Sequence, residues 1–208
     1  MKIIVLGATG MAGSRVVTEA LARGHDVVGV SRRGAPDTPG VTTVSADVTD
    51  IERMTSLLAG ADAVVCATRP HPGEEHTVPA TTAAVLDAAA AAGTRVVVVG
   101  GAAPLSSPDR PGLLVLDDPR YVQDAWRDAA VASVEQFRVC EKHSADWVYL
   151  SPAAMLEPGE RTGRYRRGGT TLVAAPDGTS RISAEDMAVA VLDEIERPCG
   201  QRHLGVGY

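Results

Sequence analysis

The amino terminus carries the pattern that most constrains the fold. The apolar run IIVL, residues 3–6, is followed at once by GATGMAG, in which Gly7, Gly10 and Gly13 stand three residues apart. A helical pattern begins at Met11, between the second and third glycines. A buried strand that ends in a tight turn and opens a helix needs this arrangement, because a glycine leaves room where the backbone turns or is approached closely.

Short β-branched runs alternate with helical patterns along the rest of the chain. The predicted strands cover residues 2–7, 26–31, 41–46, 63–68, 95–100, 147–152 and 202–208. The predicted helices cover residues 11–23, 51–59, 77–92, 122–143 and 184–196, and Ser183 with Asp186 forms a capping-box pattern at the start of the last one. Apolar strands separated by helices predict an α/β fold, a single-domain doubly wound (Rossmann) parallel sheet over residues 1–208 with helices on both faces.

The composition excludes several classes of protein. The 208-residue chain has a formal net charge of −6, whereas nucleic-acid-binding domains are normally basic. It has no apolar run of 18 residues, so no membrane span is expected. Cys66, Cys140 and Cys199 are far apart and lack histidine partners, which predicts reduced thiols, no metal site and a cytoplasmic protein.

Two connections, at about residues 100–121 and 151–181, are longer than ordinary loops. Both follow the carboxyl end of a predicted strand, which is the edge where an open parallel sheet binds ligands. We therefore expect both loops to border the functional site and to contact the substrate.

The glycine turn also has the form of a dinucleotide site. Gly7 would permit the tight turn, Gly10 would let the backbone approach a pyrophosphate, and Gly13 would let the helix pack close to the strand. The phosphates would bind free N–H groups at the helix N-terminus, with Thr9 and Met11 in the same turn. The alternative is a turn with a structural role only.

The end of the second predicted strand indicates which cofactor binds. An acidic residue there usually accepts a hydrogen bond from the ribose of NAD, whereas an arginine suits the 2′-phosphate of NADP. The chain has Ser31, Arg32 and Arg33 at this point, which favours NADP(H), with NAD(H) and two merely solvated arginines as the alternatives. Asp47, followed by Val48 after the third strand, either accepts a hydrogen bond from the adenine amino group or serves only as a turn residue.

Further cofactor contacts are predicted where the later strands end, because these ends meet at the same edge of the sheet. The residues are Ala67, Thr68 and Arg69 after the fourth strand, Gly100 and Gly101 after the fifth, and Pro152 at the end of the sixth. For Arg69 the alternative is a loop-surface position.

Several stretches resemble the short-chain dehydrogenase/reductase superfamily: the first 33 residues, the pair Asp47 and Val48, VVCAT and RVVVVGGA. The GxxGxxG spacing is similar to that of its atypical and extended members. The late stretches YLSPAAMLEPGERTGRYRRGG and SRISAEDMAVAVLDEIE resemble more narrowly the NmrA-like group of NAD(P)H-binding proteins and NADH-flavin reductases. The resemblance implies a Rossmann fold and a nicotinamide nucleotide site.

The chain departs from the superfamily at its usual catalytic residues. Typical dehydrogenases of the superfamily use a Tyr-x-x-x-Lys pair in which the tyrosine acts as acid and base. Here Tyr121, Tyr149 and Tyr165 are followed four residues on by Ala125, Ala153 and Gly169. The pair is absent, which argues against a ketone reductase, an epimerase or a dehydratase.

Hydride transfer to a flavin or quinone requires less of the protein, because solvent can supply the proton. The sequence therefore predicts an NADPH-dependent oxidoreductase that reduces a flavin- or quinone-like molecule, with flavin as a substrate. The alternatives are a non-catalytic NADP(H)-sensing regulator and a tailoring enzyme that acts on one metabolite. Tyr121 is the candidate substrate contact, and His71 is a candidate proton relay or a loop-surface residue.

The segment RTGRYRR contains four arginines in seven residues, which suits either an anionic substrate or a solvated sheet edge. The expected partner is a small molecule, without nucleic acid or membrane, and the expected state is a monomer or a homodimer.

Overall fold

Strands and helices alternate through the two ranges that the computed structural model describes, residues 1–34 and 38–208. The strands are β1 (Lys2–Leu6), β2 (Asp26–Ser31), β3 (Val41–Ser45), β4 (Ala63–Cys66), β5 (Arg95–Val99), β6 (Trp147–Pro152), β7 (Met155–Glu157), β8 (Arg166–Gly169), β9 (Arg181–Ser183) and β10 (His203–Gly207). The α-helices are α1 (Met11–Ala22), α2 (Ile51–Leu58), α3 (Val78–Ala92), α4 (Arg127–Lys142) and α5 (Ala184–Glu196). Short 3₁₀ turns lie at Glu75–Thr77, Val115–Asp117 and Asp124–Trp126.

The main sheet has the strand order β3-β2-β1-β4-β5-β6-β10-β8. Neighbouring strands are parallel from β3 to β10, and β8 joins the β10 edge in the antiparallel direction. The order reverses at β1, so the crevice between the carboxyl ends of β1 and β4 is the switch point where such sheets bind ligands. The predicted doubly wound fold is confirmed.

Alternate residues of the strands supply two separate cores. Ile3 and Val5 of β1 face a layer formed by α1 and α5, while Ile4 and Leu6 face a layer formed by α2, α3 and α4. Aromatic residues make up only 3% of the chain, so alanine, valine and leucine fill most of both layers.

The helix predicted over residues 122–143 begins later than expected. Its regular part is α4, and a 3₁₀ turn at Asp124–Trp126 precedes it. Arg127 binds the end of the 100–121 loop, donating to the carbonyl of Leu116 at 2.9 Å and to the carboxylate of Asp117 at 3.1 Å. These bonds join the first residue of α4 to a segment 10 and 11 residues earlier in the chain.

The connection predicted at residues 151–181 contains two strands. β7 pairs with β9 in a small parallel sheet, and β8 extends the main sheet. The two long connections also contact each other, since the amide of Ser106 donates to the carbonyl of Thr170 and its carbonyl accepts from the amide of Leu172.

Within the described residues, no helix is both long and apolar enough to cross a membrane.

Candidate functional site

A cleft of about 620 Å³ opens at the carboxyl ends of the strands. It runs from the ends of β2 and β3, past the glycine turn after β1, to the ends of β4 and β5 and the side of α4. Thirteen of the predicted site residues line it: Gly7, Thr9, Gly10, Met11, Ser31, Arg32, Asp47, Val48, Ala67, Thr68, Arg69, Gly100 and Gly101.

The glycine turn is packed too closely for side chains at two positions. Gly7 has a φ of +80°, and a Cβ there would lie 2.5 Å from the carbonyl oxygen of Ala67. A Cβ on Gly13 would lie 2.1 Å from the carbonyl oxygen of Gly7. Gly13 thus lets α1 pack on the turn and lies behind the cleft lining.

The N-terminus of α1 faces the cleft without a side-chain cap or an acidic residue in its first turn. Gly10 is the N-cap residue, and its own N–H donates to the carbonyl of Gly7 at 2.9 Å. The first N–H groups of a helix have no backbone acceptor within it. Together with the helix dipole they form a site for an anion such as a pyrophosphate.

One end of the cleft carries Arg32 and Asp47. A guanidinium nitrogen of Arg32 lies 3.1 Å from Nε2 of His71, which joins the end of β2 to the loop after β4. The Asp47 carboxylate accepts from the amide and the hydroxyl of Thr49, and these bonds lower its pKa from the usual range. Asp47 therefore forms the predicted turn and also lines the cleft.

Ser31 has a hydroxyl that is buried at this end of the cleft and has no hydrogen-bond partner among the described residues. A buried hydroxyl without a partner is energetically costly unless a ligand binds it. Ser31 and Arg32 thus offer a hydrogen-bonding group and a positive charge at the place where a ribose phosphate would bind.

The opposite end of the cleft is formed over Tyr149, which is fully buried beneath Gly100 and Gly101. A Cβ on Gly100 would lie 1.9 Å from the Tyr149 ring, so the ring itself requires this glycine. The Tyr149 hydroxyl accepts from the amide of Gly101 at 3.2 Å and lies 3.1 Å from the carbonyl oxygen of Ser133 and Oε1 of Gln136. Burial raises the pKa of Tyr149 above its usual range.

The side of α4 that lines this end presents no ionisable group. Its lining residues are Ala129, Ala132, Ser133 and Gln136. Our sequence analysis missed them. The spacing of three and four residues along one predicted helix is the signal that places them on one face, but only the packed structure shows that this face borders the cleft.

Five predicted site residues lie outside the cleft lining: Gly13, Arg33, Pro152, His71 and Tyr121. Arg33 is exposed, and Pro152 is buried within β6. His71 contacts Arg32, which lines the cleft.

Tyr121 packs on the small apolar cluster of Leu105, Val115 and Leu172, and its buried hydroxyl has no partner among the described residues. Burial raises the pKa of Tyr121. Tyr121 is thus part of the packing of the 100–121 loop.

The long connections contribute little to the cleft. The first supplies Gly100 and Gly101, and the second supplies Leu156. None of the four arginines of RTGRYRR lines it. Three of them have other contacts: Arg161 binds Glu19, Arg166 donates to the carbonyl of Ala174, and Arg167 lies over the Tyr165 ring.

A doubly wound sheet with a glycine turn, an uncapped α1 and a cleft at the strand-order reversal defines an NAD(P)-binding Rossmann protein. The family model described as NAD(P)H-binding matches residues 7–198, and the chain belongs to this family. The resemblance to the NmrA-like group and the predicted class, an NAD(P)H-dependent oxidoreductase, are confirmed.

Among its relatives is the uncharacterized protein YwnB of Bacillus subtilis (strain 168), 35% identical over 201 residues, which are 95% of this chain and 93% of YwnB. A crystal structure from Burkholderia pseudomallei, assigned provisionally as an exported protein, is 39% identical with a TM-score of 0.89 and full coverage of both chains. A structure from Streptococcus pneumoniae TIGR4, assigned provisionally as an NADH-flavin reductase, is 27% identical with a TM-score of 0.87, covering 100% of this chain and 99% of that one.

Proposed function

We propose that this protein is an NADPH-dependent reductase that transfers hydride to a flavin- or quinone-like small molecule without a tyrosine–lysine pair. The observation that carries the proposal is the side of α4 at the cleft, where Ala129, Ala132, Ser133 and Gln136 offer no group that can exchange a proton at neutral pH. The provisional assignment of the Streptococcus pneumoniae relative supports a flavin as acceptor.

The cofactor would supply the hydride, and the residues of the cleft would bind and orient it. The N–H groups at the start of α1 would bind its pyrophosphate, and Arg32 would pair with the 2′-phosphate. The relative is assigned to NADH, but the cleft of this chain has Arg32 and no acidic residue at the end of β2. We therefore expect NADPH to be preferred over NADH.

We expect the acceptor to take its proton from water, because the α4 side of the cleft offers no acid. Tyr149 cannot serve as the acid, because its hydroxyl is buried and engaged by Gly101, Ser133 and Gln136. Tyr121 lies outside the cleft lining, and His71 lies at the opposite end, beside Arg32. Flavins and quinones accept hydride at an electron-poor atom and need no protein acid, whereas a simple ketone does need one.

The substrate is expected to be a small molecule, and the arginines of RTGRYRR give no support for an anionic one because none lines the cleft. We also expect one domain. We expect a cytoplasmic protein because the three cysteines are free thiols and two of them are buried. We expect a monomer or a homodimer, and sedimentation equilibrium distinguishes the two.

An aerobic assay of NADPH oxidation with FMN, FAD and a series of quinones tests this function. We expect oxidation with at least one of these acceptors and a lower apparent affinity for NADH. Tight NADPH binding without turnover of any acceptor would contradict the reductase. It would favour the second candidate, an NADP(H)-sensing regulator, which is supported by the same lack of an ionisable group among the α4 residues that line the cleft.

A further inference from the structure

A buried amide lies at the floor of the cleft. Gln136 on α4 is only 6% exposed, yet it is one of the residues that line the cleft. It belongs to a chain of hydrogen bonds that runs from Gly101 through Tyr149 and Gln136 to Thr82 of α3. A buried polar side chain that faces a cleft usually has a partner for each of its donors.

The hydrogen bonds determine which way the amide points. The hydroxyl of Thr82 donates its single hydrogen to the carbonyl of Val78 at 2.8 Å. It can therefore only accept from Gln136, whose Nε2 lies 3.2 Å away. Oε1 of Gln136 then faces the Tyr149 hydroxyl at 3.1 Å.

This orientation leaves one donor for a ligand. The amide nitrogen of a glutamine carries two hydrogens, and Thr82 accepts one of them. Within residues 1–34 and 38–208, Nε2 has no second acceptor among the hydrogen bonds of the structure. The second hydrogen thus remains for a molecule bound in the cleft.

The position of Gln136 in the sheet identifies the part of the cofactor that it meets. Arg32 follows β2 on one side of β1, while Gln136 is bonded to Tyr149 of β6, which lies beyond β4 and β5 on the other side. A dinucleotide whose pyrophosphate binds at the glycine turn and whose 2′-phosphate meets Arg32 directs its nicotinamide half toward Gln136.

We infer that Gln136 is a cofactor-binding residue whose amide donates a hydrogen bond to an oxygen of the nicotinamide half, either a ribose hydroxyl or the carboxamide oxygen. The inference rests on the proposed function for the orientation of the cofactor. Because the donor is a neutral amide, this contact holds its strength across the pH range in which NADPH binds.

Binding measurements with three ligands test the inference. Adenosine 2′,5′-bisphosphate carries only the adenine half, 2′-phospho-ADP-ribose adds the second ribose, and NADPH adds the nicotinamide. Gln136→Met keeps the length of the side chain and removes its donors. We expect it to weaken NADPH binding roughly three- to tenfold, the usual effect of one neutral hydrogen bond, and to leave adenosine 2′,5′-bisphosphate unaffected.

Binding of 2′-phospho-ADP-ribose distinguishes the two oxygens that could accept the hydrogen bond from Gln136. An equal loss for 2′-phospho-ADP-ribose and NADPH assigns the contact to the ribose, and a loss for NADPH alone assigns it to the carboxamide. Gln136→Glu keeps the shape and the bond from Tyr149 but has no amide hydrogens, so it should lose at least as much affinity as Gln136→Met. Gln123→Met, at an exposed glutamine outside the cleft lining, is the matched control.

Unchanged affinity for all three ligands in a Gln136→Met variant that is folded by circular dichroism would overturn the inference. An equal loss for all three would also overturn it, because a general distortion would then explain the effect. If the unmodified protein reduces no acceptor while Gln136→Met still weakens NADPH binding selectively, the proposed reaction fails and the role of Gln136 stands.

Discussion

The floor of the cleft and the loops around it are held together by different forces. Around Gly7 and Gly100 the floor consists of closely packed backbone, and at these two positions and at Gly13 behind them a Cβ would come within 2.5 Å of a neighbouring atom. The loops are held by charged side chains over long distances in the sequence. Arg161 donates to both oxygens of Glu19, 142 residues away.

The first long loop is also held by charged side chains, which here lie close together in the sequence. The buried carboxylate of Asp118 accepts from the guanidinium of Arg120 at 2.8 Å and from the hydroxyl of Ser107 at 2.7 Å. The bonds from Arg120 hold the pKa of Asp118 well below its usual range. A substitution in the floor should therefore affect ligand binding through the volume of the new side chain. A substitution in the loop should affect stability through the loss of a charge.

The largest effect is expected for Gly10→Val in the floor. The φ of Gly10 is −76°, which any residue adopts, and a Cβ would lie 3.2 Å from the carbonyl oxygen of Gly7. The fold should persist with a small shift of that carbonyl, while the side chain fills the space that the pyrophosphate needs. We expect NADPH affinity to fall by more than about 100-fold, equivalent to about 2.7 kcal/mol.

Titration of a Gly10→Val variant checked by circular dichroism measures this effect. Gly13→Ala is the contrasting variant, because its Cβ would lie 2.1 Å from the Gly7 oxygen and should lower the melting temperature. Normal NADPH binding by folded Gly10→Val would mean that the glycine turn has a structural role only.

Arg32→Ala should remove most of the preference for NADPH over NADH. A charge-assisted bond to the 2′-phosphate contributes about 1.5–3 kcal/mol, which corresponds to roughly 10- to 150-fold in affinity. Arg33→Ala serves as the control, because Arg33 is exposed and outside the cleft lining. Equal affinity of the unmodified protein for both nucleotides, by isothermal titration, would disprove the assignment.

Asp118→Asn should destabilise the loop and leave the cleft unchanged. The variant keeps the shape of the side chain and removes the charge that Arg120 binds, so we expect a melting temperature lower by several degrees and NADPH affinity within about twofold of normal. A large loss of affinity with an unchanged melting temperature would contradict the separation between loop and floor.

The stability that Asp118 contributes should also depend on pH. Its pKa is lower in the folded protein than the value of about 3.9 for an unfolded chain. The contribution is therefore present above pH ~4 and is lost as the pH falls through the lowered value. The difference in melting temperature between the unmodified protein and Asp118→Asn should narrow as the pH is lowered from about 5 to 3.

Tyr121→Phe should have the smallest effect. Its hydroxyl has no partner among the described residues, so its removal breaks no bond in that part of the chain. We expect the rate of NADPH-dependent FMN reduction between pH 6 and 9 to fall less than about tenfold, or about 1.4 kcal/mol in the barrier. A hundredfold loss tied to one ionisation would make Tyr121 a general acid.

Local patterns in the sequence predicted the floor of the cleft well. The strand, glycine turn and helix at the amino terminus are adjacent in the chain, and thirteen predicted residues line the cleft. The start of α5 was also predicted, since Ser183 accepts from the amide of Asp186 at 3.0 Å. Such features are formed by residues that are neighbours in the chain, so their spacing can be recognised in the sequence itself.

Local sequence patterns could not predict which side of α4 faces the cleft or how the loops are arranged. Gln136 becomes a cleft residue because Tyr149 of β6 and Thr82 of α3 hold it there, 13 and 54 residues away.

By itself the sequence determined the doubly wound fold and the nucleotide turn, because glycine spacing and β-branched runs act locally. Only the tertiary structure decided which helix face closes the cleft, where α4 begins and which arginines are engaged. Those features depend on hydrogen bonds and ion pairs between segments that meet only after the sheet has formed.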